Sequence, residues 1–378
     1  MKAPQSRHPH ESPFATLHPL IKLDARHLVV LVALVLAVID RRTSVLNSLK
    51  THVHLPGSLD VRKQRFMRCQ LPGYLLIHLV IPLLPQGDIE LTLDRTNWKW
   101  GKTDVNILMV AVLVGPLALP LLWEVLPHGG SSSQKDRESL LERLFDIVPF
   151  QRFVGVIADR EFLGQSWFRW LRKQGLKVCI RLKKDSLVDG YGRFKGFKAG
   201  SLFATVSSGE YRIWYRKIRI YGVLLRLVAT RTAKGDLLLI ATDLAGRSAL
   251  PTYALRWKIE CLFEQFKSHG FDLESTRMTD PDKLGRLLIL VSLAYLWCVR
   301  TGGLLEAQTP TAVKNHGRKA LSTFQRGFSH LRVVLFAGLR GVLETLLDIL
   351  HILLPLRPPE IPVMDRPKLS LQRLISTS

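Results

Sequence analysis

The chain has 378 residues and a mass of 42.9 kDa, enough for two or three domains of ordinary size with a substantial buried core. Hydrophobic residues make up 47%, which excludes global disorder. Lys and Arg number 54 against 31 Asp and Glu, a formal net charge of +23 with an isoelectric point near 10.2; this argues against a protein that meets only small neutral substrates and points to a polyanion, either nucleic acid or an anionic membrane surface.

In chain order, residues 1–20 are rich in Pro and His and read as a disordered tail. Over 21–85, apolar residues recur at helical intervals among Lys50, Arg62, Lys63, Arg65 and Arg68, which predicts a small helical DNA-binding domain with a cationic face. The rhythm changes at Ile89: Ile89, Leu91 and Leu93 alternate with Glu90, Thr92 and Asp94, the period of a strand. Two further strands are expected around a Gly115-Pro116 turn, then a helix at about 135–147, a buried strand from Phe153 that ends at Asp159, a helix at about 166–174 and a strand at 178–182. Residues 86–182 therefore read as the first part of an α/β core, with Asp94 and Asp159 placed to meet on neighbouring strands. Over 183–250, short strands mix basic and aromatic residues, Trp214 and Tyr215 among Arg212, Arg216, Lys217 and Arg219, which predicts a β-rich insertion. Residues 251–300 return to helix and complete the core. Residues 301–378 read as a C-terminal helical region ending in a basic, Pro-rich tail from Pro358.

The mean hydropathy of +0.12 makes a membrane reading worth weighing. The apolar runs 28–39 and 287–299 hold 12 and 13 residues and are closed by charges, short of the roughly 20 that a spanning helix needs. The stretch 107–122 is interrupted by Gly115, Pro116 and Pro120, and the first residues carry no signal-peptide apolar core. The expectation is a protein of the cytoplasm, associated with the nucleoid when on DNA, with no membrane partner. Cys69, Cys179, Cys261 and Cys298 are too far apart for a zinc knuckle and too few for a disulfide framework, in keeping with a reducing compartment.

The segment 253–269 carries the chemistry. Set on one continuous helix, Tyr253, Arg256, Glu260, Glu264 and Lys267 share a stripe about 80° wide, opposite Leu255, Ile259, Leu262, Phe263 and Phe266. Such a stripe on an arbitrary helix is a solvated face laced with i,i+4 pairs. Two upstream aspartates change that reading. Asp94, Asp159 and Glu260 are three hard oxygen ligands on rigid elements, the set that two Mg²⁺ ions about 3.5–4 Å apart require. Arg256 and Lys267 suit the phosphates of a strand being cut.

Tyr253, Arg256, Glu260 and Lys267 fulfil the pattern Tyr-x2-Arg-x3-Glu-x6-Lys; Asp94-Arg-Thr96-Asn-Trp98 and Ala158-Asp159-Arg160-Glu161-Phe162 accompany it in order. Over about 89–267 the chain resembles bacterial insertion-sequence transposases of the DDE type, in the group named for the Y-R-E-K signature, the insertion-sequence-four family. The resemblance implies an α/β, ribonuclease-H-like catalytic core interrupted by a β-rich insertion, with helical N- and C-terminal parts. It implies a cut-and-paste transposase that binds terminal inverted repeats, with Asp94, Asp159 and Glu260 holding two Mg²⁺ or Mn²⁺ ions and a 3′-hydroxyl attacking target DNA. It also implies that Tyr253 and Arg256 contact the terminal phosphate, that Lys267 lies near the same strand, and that a homodimer synapses two ends. Trp214 is a candidate for the aromatic residue that holds a flipped base. The alternative is a non-catalytic DNA-binding protein with a relic ribonuclease-H-like fold.

Gly101-Lys102-Thr103 imitates the end of a phosphate loop, but Thr96 stands where that motif needs Gly. His8, His10, His52 and His54 lack a nearby Cys and read as surface histidines. Of the two spare carboxylates, Glu264 is the expected contributor to the site because it shares the stripe; Glu161 is a supporting or an exposed residue.

Overall fold

The computed structural model describes residues 25–49, 71, 73–81, 84, 87–189, 196–315, 317 and 319–337, with single residues at 52, 61, 64, 67 and 68. The expected tail at 1–20, the tail from Pro358, and Lys50, Arg62, Lys63 and Arg65 lie outside them. Elements in chain order are helices α1 (Ala25–Arg41), α2 (Leu46–Leu49) and α3 (Leu75–Val80), then strands β1 (Ile89–Trp100), β2 (Thr103–Val114) and β3 (Leu117–Val125). Helix α4 (Gln134–Phe145), β4 (Phe153–Ala158), α5 (Gln165–Lys173) and β5 (Lys177–Leu182) follow. Next come β6 (Leu187–Asp189), β7 (Phe197–Lys198), β8 (Tyr211–Ile213), β9 (Ile218–Ile220), β10 (Val223–Arg231) and β11 (Leu237–Thr242). The last are α6 (Gly246–Ala254), α7 (Trp257–Phe266), α8 (Pro281–Gln308) and α9 (Thr323–Ala337). The chain divides into two compact units. One is α/β, drawn from 84–264 with 279–281; the other is helical, drawn from 1–83, 265–278 and 282–359.

The α/β unit is built on one mixed sheet of 11 strands in the order β3-β2-β1-β4-β5-β11-β10-β9-β6-β7, with β8 beside β10. Strands β1, β2 and β3 form an antiparallel meander joined by two-residue loops, Gly101-Lys102 and Gly115-Pro116. Gly101 and Gly115 both have positive φ, which such tight hairpins demand of their first loop residue. Gly101-Lys102-Thr103 is thus a hairpin corner. Strands β4 and β5 run parallel to β1, and β11 then pairs antiparallel with β5, so the strands of 223–242 lengthen the same sheet.

Both faces of the central strands are buried. Ile157, Cys179, Val228 and Ile240 pack with Ala249, Leu250 and Tyr253 of α6, and the Cys179 thiol donates to the carbonyl of Ala249 at 3.4 Å. Their strand neighbours Val156, Val178 and Ile180 are buried as well, which explains why these strands read as unbroken apolar runs. Helix α4 starts at a capping box: the Asp136 N–H donates to Ser133 Oγ and the Ser133 N–H to Asp136 Oδ2. Helix α5 buries Trp167, Phe168 and Leu171 along one face.

One expectation fails here. The segment 253–269 is not a continuous helix. α6 stops at Ala254 and α7 begins at Trp257, and across the join Leu255, Arg256 and Ile259 donate to carbonyls three residues back. This tighter winding breaks the 100° periodicity, so Tyr253 leaves the polar stripe and enters the core of α6. Helix α7 ends at Phe266, one residue before Lys267, where the chain folds back on itself. A Cβ on Gly270 would lie 2.1 Å from the Gln265 carbonyl oxygen, so the return requires glycine.

In the helical unit, α8 runs for 28 residues, longer than the apolar run within it. It is long and apolar enough to cross a membrane by length and composition, yet 83% of its most apolar stretch is buried inside the structure. Helix α9 crosses it at two glycines. A Cβ on Gly302 would meet the Thr323 carbonyl oxygen at 1.8 Å, and one on Gly327 would meet that of Cys298 at 1.8 Å. Around the crossing, Tyr295, Phe324 and Phe328 stack at 5.5 and 5.2 Å, and Phe271 sets its edge against Phe324 and Phe328. Because backbone atoms stand in the way, Gly302→Ala or Gly327→Ala must push the helices apart. Each is expected to cost about 3 kcal/mol in urea unfolding of the full chain, against less than about 1 kcal/mol for Gly303→Ala, which meets open space.

Candidate active site

Strand register sets the first two carboxylates side by side. Leu93 of β1 pairs with Ala158 of the parallel strand β4, so the next residues, Asp94 and Asp159, emerge together at adjacent positions. Helix α7 brings Glu260: Ile259, Leu262 and Phe263 are buried, and the Lys258 ammonium donates to the Gly115 carbonyl at the β2–β3 corner.

Tyr253 of α6 and Arg256 of the α6–α7 join tie the carboxylates together. Arg256 Nη1 donates to Asp94 Oδ2 at 3.0 Å, and its Nη2 donates to Glu260 Oε1. The Tyr253 hydroxyl donates to Asp159 Oδ1 at 2.9 Å, and the Arg256 guanidinium lies 5.6 Å from the Tyr253 ring centre. Arg181 of β5 stands 3.9 Å from the same Asp159 oxygen. Five of the residues singled out from the sequence, Asp94, Asp159, Tyr253, Arg256 and Glu260, thus converge. With the arginine between the carboxylates, no three His, Cys, Asp or Glu side chains among the described residues form a ready-made metal cage.

The electrostatics reflect this crowding. Burial pushes the Asp94 carboxyl up to about 7, opposed by Arg256 and the Arg95 N–H and reinforced by Glu260 and Glu161. Burial disfavours the charge on Arg256, but Tyr253, Asp94, Glu260 and Asp159 outweigh it and hold the guanidinium firmly protonated. Arg256 Nε is buried with no hydrogen-bond partner.

Lys267 and Trp214, the other two residues singled out for DNA contact, make contacts of their own. Lys267 pairs with Glu274 at 2.7 Å inside the helical unit. Trp214 is half-buried, with its ring edge-on to Phe203 at 5.9 Å; the neighbouring Tyr215 is the exposed aromatic, at 75%, with Arg216 over its ring at 5.6 Å.

A supporting network escaped the sequence reading. Arg95, next to Asp94, forks onto Glu161, two residues past Asp159, through Nε–Oε1 at 3.3 Å and Nη2–Oε2 at 3.1 Å. Its Nη1 donates to Asn106 Oδ1 at 2.8 Å, and the buried Asn106 amide donates to the carbonyls of His128 and Gly130. Arg137 donates to the Glu161 and Ser132 carbonyls while its guanidinium covers the Phe162 ring at 4.9 Å. The chain leaving each aspartate is therefore anchored to the other. Glu161, not Glu264, carries this support; adjacency of Arg95 and Glu161 to the aspartates was the available signal.

Two measurements test this account. Arg95→Leu or Glu161→Leu alone leaves a largely buried partner uncompensated and is expected to cost about 3–5 kcal/mol in urea unfolding, with the double replacement recovering part of the loss. The raised Asp94 pKa means that the fold holds this proton more tightly than the unfolded chain, so its contribution is complete below about pH 4 and lost as pH rises through 7. In chelator, wild-type stability should therefore fall by roughly 4 kcal/mol relative to Asp94→Asn between pH 4 and 8.

A family model described as the transposase DDE domain matches residues 85–297, more than half of the chain. The matched stretch contains Asp94, Asp159 and Glu260 along with the side chains that bind them. No curated protein matches the chain. With a match of that extent across the sheet, the carboxylate cluster and the helix that completes it, the chain belongs to the transposase DDE-domain family.

Proposed function

We propose that this transposase belongs to the Y-R-E-K group of bacterial insertion sequences, binds the terminal inverted repeats of its element and carries out DNA cleavage and strand transfer. The observation that carries this reading is the convergence of Asp94, Asp159 and Glu260 on the side chains of Arg256 and Tyr253. A ribonuclease-H-like core is supported by the order β3-β2-β1-β4-β5, an antiparallel meander followed by parallel strands with the aspartates on β1 and just beyond β4.

The residues fit divalent cations. Asp94, Asp159 and Glu260 supply three hard oxygen donors gathered around one spot, the kind of ligand that Mg²⁺ and Mn²⁺ prefer. These three residues would hold two Mg²⁺ or Mn²⁺ ions. When bound, such ions activate the attacking oxygen and stabilise the leaving one. Tyr253 orients Asp159 through its hydroxyl. Arg256 pairs with Asp94 and Glu260, and its guanidinium would be the group that takes a DNA phosphate. The basic helical region before residue 85 would hold the repeat, and two copies of the chain would synapse two ends.

The test is nicking of a supercoiled plasmid that carries the inverted repeats flanking the gene, in Mg²⁺. Asp94→Ala, Asp159→Ala and Glu260→Ala are each expected to cut at least about a thousandfold more slowly, some 4 kcal/mol of lost transition-state stabilisation, while still shifting the same DNA in a gel. Undiminished cleavage in any one of them would remove that residue from the reaction.

A further inference from the structure

Away from the carboxylates, the α/β unit carries an open groove of about 460 Å³ between α5 and the β9–β10 corner. Four cations line it: Arg169 and Arg172 of α5, and Lys217 and Arg219 beside and on β9. Among them only Arg172 has a carboxylate partner in the described residues, Asp243 at 2.6 Å. Arg219 turns its guanidinium onto the Gly222 carbonyl at 3.1 Å, and Arg169 and Lys217 have no acidic partner among the described residues. Three positive charges are thus left facing one small space, an arrangement that self-repels unless an anion lies among them.

The groove has a built shape. Gly222 sits at positive φ with its backbone pressed onto the start of α5; a Cβ there would come within 3.1 Å of Gln165 Nε2 and 3.4 Å of the Arg169 guanidinium. Val223 and Leu224 add apolar surface to the lining beside the cations. Gly222 meets α5 at its first turn, and Arg172 lies in the last turn of that helix. Several cations with apolar surface beside them suit a chain of phosphates linked by sugars better than a single peptide carboxylate. Three of the four cations are arginines, whose flat guanidinium matches phosphate.

Building on the DNA-processing reading above, we propose that this groove is a second DNA-contact site, holding the sugar–phosphate backbone without regard to base sequence. Arg169 and Lys217 are the two contacts with no carboxylate partner among the described residues to give up.

The experiment uses the full chain and a fluorescein-labelled duplex of arbitrary sequence, with binding followed by anisotropy from 100 to 300 mM KCl. Arg169→Glu/Lys217→Glu is expected to bind at least about tenfold more weakly and to reduce the slope of log K against log salt by roughly 1.8, about 0.9 per lost phosphate contact. Lys135→Glu/Lys234→Glu, an equal charge change at two exposed lysines outside the groove, should keep a slope near that of wild type. If the glutamate pair impairs folding, judged by thermal melting, Arg169→Gln/Lys217→Gln should show the same fall in slope. An unchanged slope, an equal loss in the control, or competition by polyglutamate as strong as by DNA would each overturn the assignment. A wild-type chain that binds no DNA would overturn the proposed function along with it.

Discussion

The fork of Arg256 between Asp94 and Glu260 is the contact on which the rest of the site depends. It joins a strand to a helix across 162 residues of sequence and places a buried positive charge among carboxylates that would otherwise repel. The arginine reaches this position because it lies in the tight join between α6 and α7, not on either helix. One more turn of regular helix would carry its side chain elsewhere.

Tyr253, three residues earlier in the last turn of α6, works in the opposite sense. Its ring is part of the packing of α6 on the sheet, so the position of its hydroxyl is set by the core and not by solvent. Asp159 is consequently oriented by an apolar contact at one remove. The Arg95–Glu161 pair adds a second, polar constraint behind both aspartates, and Asn106 and Arg137 extend it into the 128–132 loop. Sites of this kind need side chains held by packing and by fully bonded neighbours, and both devices are present.

A chain so basic has to place its acidic residues with care. Asp94, Asp159, Glu161 and Glu260 are each engaged by an arginine, whereas among the described residues the α5 groove gathers four cations with one carboxylate partner, Asp243. Positive charge at the groove and negative charge at the cluster give the unit two electrostatically distinct regions on one sheet. In the helical unit, by contrast, shape dominates: Gly302 and Gly327 let α8 and α9 approach until backbone meets backbone, and stacked aromatic rings fill the flanks.

Much of this was legible in the residues alone. The meander of β1–β3, its Gly115-Pro116 corner, the strand ending at Asp159 and the helix after it follow from alternation, turn chemistry and apolar runs, all of which act over a few neighbours. The identity of the converging carboxylates, and of Tyr253 and Arg256 beside them, was legible as well, because residue type and spacing survive in one dimension. The break at Leu255–Arg256, the burial of Tyr253, the engagement of Lys267 by Glu274 and the Arg95–Glu161 fork were not. A helical wheel assumes uniform winding, and a pairing between residues 66 apart leaves no periodic trace. The sequence by itself determined the α/β class, the strand order of the meander and the membership of the carboxylate cluster. Only tertiary packing decided which way each side chain turns, since the burial of Tyr253 on the sheet and the pairing of Arg256 with Asp94 are contacts between elements far apart in sequence.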